Sequence, residues 1–201
     1  DAERSDLRDP LENTNRNIFA FNIGVDSYVL EPVAKGYKST VPDSGRRAID
    51  NHLEWASVPS TALNSTLQGE FENAALATIH FAINGLTLGF ADLTETPGAV
   101  DKRSFDQTLA RANVPDGHYL MVPVLGPHSS RNLLGRVVDT VTNPLSMIHA
   151  GNVGSAVRTA EIPAGAIAFR ANNFAAINDV KYNSIDPYAR TRSLYFQSRA
   201  G

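Results

Sequence analysis

The sequence contains no cysteine among its 201 residues. Disulfides, thiolate nucleophiles and cysteine-based zinc sites are therefore excluded together, so packing and hydrogen bonds have to stabilise the fold. An excess of positive charge is missing as well, because 18 Lys and Arg residues stand against 21 Asp and Glu residues, for a formal net charge of -3. Without a positive field to attract a polyanion, a role in binding nucleic acid is not expected.

A long apolar run is also absent, since no stretch has the ~20 predominantly apolar residues that a membrane-spanning helix needs. The run that comes nearest extends from Asn73 to Ala91 and contains no Asp, Glu, Lys or Arg. His80 and Asn84 within it would be poorly accommodated in the middle of a bilayer, which disfavours a simple transmembrane helix. Two interpretations remain for the segment: a buried core helix that ends at Gly85, and a helix in contact with a membrane.

The usual sequence signs of catalysis are missing too. There is no G-x-S-x-G elbow, Walker loop or G-x-G-x-x-G fingerprint, which removes the common marks of hydrolases, NTPases and dinucleotide enzymes. The five histidines form no HExxH and no helical pair with a third ligand, so neither a metal site nor a cofactor nor a catalytic residue is predicted. Asp101 and Asp106 flank Lys102 and Arg103, and are interpreted as a solvated loop with weak ion pairs rather than as a general acid and base.

Capping residues placed before prolines predict an all-α chain. Asp9-Pro10, Asn143-Pro144 and Asp186-Pro187 each put a capping side chain ahead of a proline that suits the first helical turn. We predict one helical domain over residues 9–201, preceded by a polar tail over 1–8. The predicted helices run from Asp9 to a stop at Glu31-Pro32, Ser44 to Trp55, Ser60 to Gln68, Glu70 to Asn84, Ser104 to Arg111, Ser129 to Thr142, Asn152 to Tyr182 and Pro187 to Arg199.

Three details of this pattern carry further expectations. Pro163 should bend the long late helix, because its ring clashes with the carbonyl four residues back. Asn113–Pro127 should be extended rather than helical, since prolines and glycines interrupt it. Asn15 and Asn22 interrupt the apolar stripe of the first helix, and we expect them to tie helix to helix through buried hydrogen bonds.

The C-terminal segment DPYARTRSLYFQSR, residues 186–199, mixes arginines with aromatic residues. This composition suits a helix that lies at a membrane or partner surface. It suits an ordinary amphipathic packing helix just as well. Both interpretations are kept.

Several motifs occur together in the order and spacing of one known family. They are DPLENTNRNIFAFN at Asp9–Asn22, PVAKGYKSTVP at Pro32–Pro42, LQG at Leu67–Gly69, SFDQTLARANVPDGHYLMVPVLGP at Ser104–Pro127, then Arg131, Gly135 and Asp139 in RNLLGRVVD, and DPYARTRSLYFQ at 186–197. The chain from Asp9 to about Arg199 thus resembles the MlaA (VacJ) family of outer-membrane phospholipid-transport lipoproteins. It departs from the family pattern at His118, where a proline or another small residue often stands.

The resemblance implies a single ring-like domain of amphipathic helices, embedded in the outer membrane of a Gram-negative bacterium on its periplasmic side, with a central amphipathic channel. The implied task is retrograde transport, in which phospholipids misplaced in the outer leaflet pass through the channel to a soluble periplasmic lipid carrier. Trimeric outer-membrane porins are the implied membrane partners. The mature family proteins begin with a lipidated cysteine, so the resemblance leaves lipidation of this cysteine-free sequence open.

The resemblance also implies where the channel lies. In the family, the long late helix and the loop after the uncharged segment border the pore, which corresponds here to Asn152–Asp179 and Ala91–Arg103. The candidate wall residues on the late helix are Asn172, Asn173, Asn178, Phe169, Phe174 and Ile177. Gly85, Gly89 and Gly98 flank the loop and are candidate hinges of a gate, since glycine reaches backbone angles closed to other residues. The alternative is ordinary amphipathic packing with the asparagines facing water.

Two other functions compete with a lipid channel. A porin-associated envelope scaffold without a channel of its own predicts a closed core, whereas a channel predicts polar side chains converging on a hole through the domain. A soluble phospholipase would need a nucleophile and a base that the sequence does not offer. If the domain is membrane-embedded, helices around Phe71–Phe90 and the C-terminal segment should present apolar surface outward.

Overall fold

The computed structural model describes residues 9–94, 100–143, 145 and 152–199, with the backbone alone for 152–160. The predicted tail over 1–8 lies outside these residues. Within them the chain is helical apart from one small antiparallel sheet, which confirms the all-α prediction. The elements are α1 Glu12–Val25, a π-helical turn Asp26–Leu30, α2 Glu31–Thr40, α3 Asp43–Leu67, α4 Phe71–Asn84, a 3₁₀ turn Gly85–Thr87, α5 Phe105–Arg111, β1 Tyr119–Val122, β2 Gly126–Ser129, α6 Ser130–Thr142, α7 Asn152–Asn172, α8 Phe174–Tyr182 and α9 Pro187–Ser198.

Proline does not end the first helix, so the predicted stop at Glu31-Pro32 is wrong. The chain passes from α1 through the π-helical turn directly into α2, with Pro32 in the first turn of α2. The Glu31 N–H reaches back five residues to the carbonyl of Asp26, so the turn is wider than an α-helical one. The wider turn gives the proline ring room, and its missing N–H is tolerated at a helix start.

The predicted gap between Trp55 and Ser60 is also wrong, because α3 continues through Pro59. Packing on both sides of the proline offsets its cost of roughly 3 kcal/mol. Before it, the Trp55 indole stacks on Phe81 of α4 at 5.0 Å and donates to the Phe81 carbonyl at 3.0 Å. After it, Asn64 is buried.

The late helix, predicted as one run from Asn152 to Tyr182, is divided into two helices at Asn173. Pro163 lies inside α7, and the helical run ends at Asn173, which separates α7 from α8. The Asn173 side chain donates to the Phe169 carbonyl at 2.9 Å. Asparagine competes in this way with the helical hydrogen bonds of the backbone, which makes it a common helix boundary.

Asn15 forms the expected buried hydrogen bonds, but with a strand instead of a helix, whereas the corresponding bonds of Asn22 are not buried. Asn15 donates to the carbonyl of Tyr119 at 3.1 Å and accepts from the N–H of Met121 at 2.9 Å. Asn22 makes the same kind of pair: it donates to the Val122 carbonyl at 3.0 Å and accepts from the Val124 N–H at 2.7 Å. Each side-chain amide thus replaces a peptide group of a neighbouring strand, and the hairpin docks on α1.

The hairpin completes the main aromatic core. Tyr119, Met121 and Tyr188 are buried together, with partly buried Tyr195 and Phe196 packed against them. The C-terminal segment is therefore a packing helix whose aromatic residues face inward, and the expectation of outward apolar surface holds there for Leu194, which is 46% exposed, but not for the aromatic residues. Its arginines are held by carboxylates, as where Arg192 pairs with Asp9 at 2.8 Å.

Apolar surface is exposed elsewhere, as predicted for the segment around Phe71–Phe90. Phe71 is 70% exposed and Leu86 is 82% exposed. Further large apolar side chains stand out from α1, α2 and α6. None of the helices in the described ranges combines the length and apolar content needed to cross a membrane.

Candidate functional site

A cavity of about 640 Å³ lies where α3, α5, α6 and α7 meet, and polar and apolar atoms both line it. The apolar residues of its wall are Ala56, Leu145 and Ile162, of which Ile162 is 72% exposed. Its polar wall is made of Ser57, Ser60, Thr61, Lys102, Arg103, Ser104, Asp106, Gln107, His128, Asn132, Arg136, Asp139, Thr140, Asn143 and Glu161. We call it the large cavity.

One stripe of α6 fixes α5 beside this cavity. Arg131, Gly135 and Asp139 lie four residues apart and all face α5. Arg131 donates to the Asp106 carboxylate at 2.8 Å, and a β carbon at Gly135 would lie 2.5 Å from the Asp106 backbone nitrogen. Both carboxylate oxygens of Asp139 accept from the N–H of Phe105, the first residue of α5. The stripe therefore positions a cavity wall.

Asparagine 64 extends this framework to α3. It donates to the Asp139 carboxylate at 2.7 Å and accepts from the Thr108 hydroxyl at 2.9 Å. Burial raises the pKa of Asp139 and outweighs these hydrogen bonds, which lower it. Three helices thus converge on one half-buried carboxylate that has no cationic partner within the described ranges.

Asp106 is another carboxylate of this wall and is buried, so the expectation that it belongs to a solvated loop is wrong. It is 4% exposed and pairs with Arg131 and Arg199. Burial acts to raise the pKa of Asp106, but the hydrogen bonds and charges of the two arginines lower it below the usual value. Asp101 does remain exposed, in an ion pair with Arg103 at 3.2 Å.

A smaller cavity of about 330 Å³ lies on the other flank of α3. It shares Ser57, Thr61 and Lys102 with the large cavity. Three residues therefore form the boundary between two polar spaces. The other residues of the smaller cavity include His80, Asn84 and Asp92.

The segment 85–94 closes one side of the smaller cavity and is fastened to α3. His52 Nδ1 donates to the Leu88 carbonyl at 2.6 Å, and its ring stacks on Phe90 at 4.5 Å. Gly89 has a φ of +76° and lies so close to Trp55 that a β carbon would be 2.5 Å from the indole Cγ. Glycine is required here by the backbone angle and by the close approach.

The three predicted hinges therefore differ in what surrounds them. Gly85 begins the 3₁₀ turn, where a β carbon would make ordinary contact with Trp55 at 3.7 Å. Gly89 is packed against the same side chain and lines the smaller cavity. Gly98 lies outside the described residues.

The predicted asparagines of the late helix lie away from the walls of the two cavities, as far as these walls are described. Asn172 donates to Asp50 at 3.0 Å on the surface. Asn173 bonds its own helix, as described above. Asn178 accepts from Arg170 at 2.5 Å.

The predicted apolar residues of the late helix are not brought to these walls either. Phe169 is 65% exposed. Phe174 lies under the cations of Arg170 and Lys38, at 4.8 Å and 5.2 Å from its ring centre, and Ile177 is half-buried. The ranges predicted to border the channel do contribute to the large cavity, but through other residues, which are Lys102, Arg103, Glu161 and Ile162.

A buried ion cluster that we did not predict joins the late helices to the π-helical turn. Arg170, 2% exposed, donates to Asp26 at 2.6 Å. Lys181 donates to Asp26 at 2.8 Å and to Glu31 at 2.7 Å. Burial acts to raise the pKa of Asp26, but these two cations hold it below its usual value. The sequence did contain a signal for this ion cluster. Arg170 is the sole charged residue between Glu161 and Asp179, and a lone charge that becomes buried needs a partner of opposite charge.

The described residues offer little for metal or acid–base chemistry. No group of three or more His, Asp or Glu side chains within them is arranged to hold a metal ion. The carboxylates Asp106 and Asp139 are occupied by structural donors, as described above. The arrangement is that of a polar chamber with a mixed wall.

The chain matches the MlaA lipoprotein family over residues 7–201. It is 30% identical to the intermembrane phospholipid transport system lipoprotein MlaA of Haemophilus influenzae, over 96% of this chain and 78% of that protein. It is 28% identical to the MlaA lipoprotein of the same name from Escherichia coli, over 94% and 76%, and 32% identical to an uncharacterised protein of Rickettsia bellii, over 96% and 76%.

A solved structure, determined in work on the structural basis for maintenance of bacterial outer membrane lipid asymmetry, has a similar fold. It superposes with a TM-score of 0.79 at 29% sequence identity, covering 94% of this chain and 96% of that one. The sequence match and the fold agree over nearly the whole length. The chain belongs to the MlaA lipoprotein family.

Proposed function

We propose that this chain is the outer-membrane component of an intermembrane phospholipid transport system, that it removes mislocalised outer-leaflet phospholipids in the retrograde direction, and that it so maintains lipid asymmetry. The proposal is supported by the names of the Haemophilus influenzae and Escherichia coli relatives and by the solved structure from work on lipid asymmetry. The site is the outer membrane of a Gram-negative bacterium, on its periplasmic side. The task needs no catalysis.

The large cavity is the observation that carries the proposal. A phospholipid headgroup that leaves water for a hydrocarbon layer loses several kcal/mol of hydration unless polar groups receive it. The cavity wall contains hydroxyl, amide and charged side chains. The volume of the cavity, about 640 Å³, is in the range of ligand sites. Exposed Ile162 at its border is suited to the acyl chains.

The exposed apolar side chains support the proposed setting. Phe71, Leu86 and Ile162 are each at least 70% exposed, and exposed apolar surface of this kind marks contact with lipid or protein. We propose a trimeric outer-membrane porin as the membrane partner and a soluble periplasmic lipid carrier as the acceptor of the phospholipid.

Substitution of Ser57 tests transport through the cavity. Ser57 is exposed and lines both cavities, and among the described residues its hydroxyl bonds only the Glu54 carbonyl of its own helix. Ser57→Trp should obstruct the cavity without disturbing the core. In cells that carry only the variant, outer-leaflet phospholipid should rise to the level of cells without the protein.

Two matched variants serve as controls. Ser57→Ala keeps the cavity open, and Ser39→Trp adds the same indole at an exposed serine outside both cavities. Both should leave lipid asymmetry normal, and all three variants should co-purify with the porin. Normal asymmetry in cells with folded Ser57→Trp at ordinary abundance would contradict transport through this cavity.

A gate formed by the loop Ala91–Arg103, with Gly85, Gly89 and Gly98 as hinges, is a separate proposal. Because the chain has no cysteine, Lys102→Cys with Glu161→Cys, two residues of the large cavity, can be joined selectively by a reversible thiol cross-linker. The cross-linked protein should lose transport and retain porin binding, and reduction should restore transport. Transport that persists in the cross-linked protein would reject the gate.

The candidate wall residues Asn172, Asn173, Asn178, Phe169, Phe174 and Ile177 stay a proposal. Their exposed members, such as Phe169, would meet lipid outside the two cavities. The competing function is a porin-associated scaffold. It predicts that Ser57→Trp has no effect on lipid asymmetry, while loss of porin binding alone disturbs it.

A further inference from the structure

The cations of the large cavity differ in how they are compensated. Arg103 donates to both oxygens of Glu70, at 2.5 Å and 3.2 Å. Lys102 pairs with Glu54 at 3.1 Å. Arg136 lines the same cavity, yet among the described residues no carboxylate lies within 4.0 Å of its guanidinium. Arg136 is exposed, so water rather than a carboxylate of the described residues solvates its charge.

A neutral histidine holds this guanidinium. His128 is 4% exposed, and its Nδ1 lies 3.2 Å from the Gly126 carbonyl, to which it donates. Nε2 is then the acceptor for Arg136 Nη1 at 3.4 Å. Burial lowers the pKa of His128, so the imidazole is neutral at neutral pH. One of the five guanidinium N–H groups is used in this contact, which leaves the planar fork available to an oxyanion.

A buried hydroxyl in the same wall also has no protein partner. Thr61 is 5% exposed and lines both cavities. In the part of the chain that the structure describes, its hydroxyl makes no hydrogen bond to protein, and its oxygen is not one of the buried atoms that lack a partner. The hydroxyl is therefore open to the cavity, where it can donate to a ligand.

The carboxylates of the cavity wall contact groups other than Arg136. Asp106 is paired with two arginines. The Asp139 oxygens accept from Asn64 and from the first N–H of α5, and Glu161 lies 3.4 Å from His52. An anion beside Arg136 would thus meet a cation and a free donor in a wall whose carboxylates have other partners.

We propose that Arg136 and Thr61 form a phosphate-binding site in the large cavity, which takes the phosphodiester of a phospholipid. The inference rests on the proposed function and names the group that the cavity recognises. A guanidinium presents two parallel N–H groups to two phosphate oxygens, and such charge-assisted pairs are about twice as strong as neutral hydrogen bonds. The Thr61 hydroxyl donates to a further oxygen atom of the headgroup.

Binding to the full-length protein in detergent tests the site. The probes are dihexanoyl phosphatidylglycerol, inorganic phosphate, and dihexanoylglycerol, which has the same acyl chains and no phosphate. Arg136→Gln should weaken phosphatidylglycerol binding by about tenfold or more, because it removes charge-assisted hydrogen bonds. Arg136→Lys should lose less, since it keeps the charge without the fork. Thr61→Val should weaken binding about two- to tenfold.

Arg47→Gln is the matched control, because Arg47 is exposed on α3 and outside both cavities. It makes the same change in net charge and should leave all affinities unaltered. Dihexanoylglycerol should bind every variant equally. The melting temperatures of Arg136→Gln and Thr61→Val should match that of the unmodified protein, since neither group has a structural partner that is lost apart from the weak histidine contact.

The outcomes separate the sources of the phosphate. If inorganic phosphate competes with phosphatidylglycerol for the unmodified protein, and this competition disappears in Arg136→Gln, the site exists and also binds free phosphate. If inorganic phosphate does not compete, the site is specific for the lipid headgroup. Equal phosphatidylglycerol affinities for Arg136→Gln and Arg47→Gln would overturn the proposal. If that result is found while Ser57→Trp still blocks transport in cells, the phosphate site fails and the proposed function stands.

Discussion

Replacing Asn15 by leucine should be among the most damaging changes outside the cavity. The side chain is 2% exposed and makes three hydrogen bonds, one to Asp9 at 2.7 Å and two to the backbone of β1. Leucine has similar volume but no polar atoms, so the Tyr119 carbonyl and the Met121 N–H lose these partners without gaining water. The cost therefore comes from desolvated backbone groups rather than from a cavity.

The expected size follows from those groups. Each unsatisfied buried donor or acceptor costs about 1–3 kcal/mol, so the two backbone groups alone give about 2–6 kcal/mol, and the buried Asp9 carboxylate oxygen, which also loses its Asn15 partner, adds to this loss. That is a large share of the 5–15 kcal/mol that a domain of this kind has in total. At about 2–4 °C per kcal/mol for a chain of this length, the melting temperature should fall by roughly 10 °C.

Asn22 provides the matched variant. It makes the same pair of backbone hydrogen bonds three residues further along the chain, but it is half-buried and the second bond is exposed. Asn22→Leu should therefore cost clearly less, because water can replace the lost partners. The two variants are compared by chemical denaturation in the same detergent. Equal stability of Asn15→Leu and the unmodified protein, or a larger loss for Asn22→Leu, would refute the docking role of the buried amide.

Two further changes probe the surroundings of the cavities. Gly89→Ala should destabilise the protein by about 2–4 kcal/mol, because the left-handed backbone is strained and the new methyl group overlaps Trp55. Gly126→Ala is the control: its φ is +81° and no atom lies within 4 Å of the added β carbon, so it should show the strain alone. Equal losses of stability in chemical denaturation would contradict the close packing of Gly89. The pKa of Asp106 is lowered in the folded state, so its contribution to stability is present above its unfolded pKa of about 4 and is lost as the pH falls through the folded value. Asp106→Asn should be less stable at pH 7 and should lose less stability between pH 5 and pH 2; parallel pH profiles of the two proteins would argue against this carboxylate as a source of acid sensitivity.

Local signals in the sequence predicted most element boundaries. The helix from Ser104 is an example, because Ser104 and Gln107 form both bonds of a capping box, and these residues are close in sequence. The prolines at 32 and 59 misled the prediction, since a π-helical turn in one case and packing of Trp55 in the other offset a local penalty. Neither effect can be read from the residues next to the proline.

Long-range partners were the part that local reasoning missed. Asn15 was expected to make buried hydrogen bonds, and it does, but its partner lies more than a hundred residues away on a strand. Arg170 meets Asp26 over a similar distance. Asn15 interrupts the apolar stripe of a helix and Arg170 is a lone charge in an apolar segment, so the sequence indicated that a partner exists without indicating which one.

The same reasoning explains why the family was recognised and the cavity wall was not. Arg131, Gly135 and Asp139, which helped to identify the family, fix α5 against α6 through an ion pair, a close backbone approach and a capping carboxylate. These residues hold the helices in position, and the cavity is the space that remains between the helices. Arg136 belongs to the same helix but faces the space instead of α5, so its spacing in the sequence says nothing about its role. A motif can therefore determine where a cavity forms while the side chains that contact its contents lie between the residues of the motif.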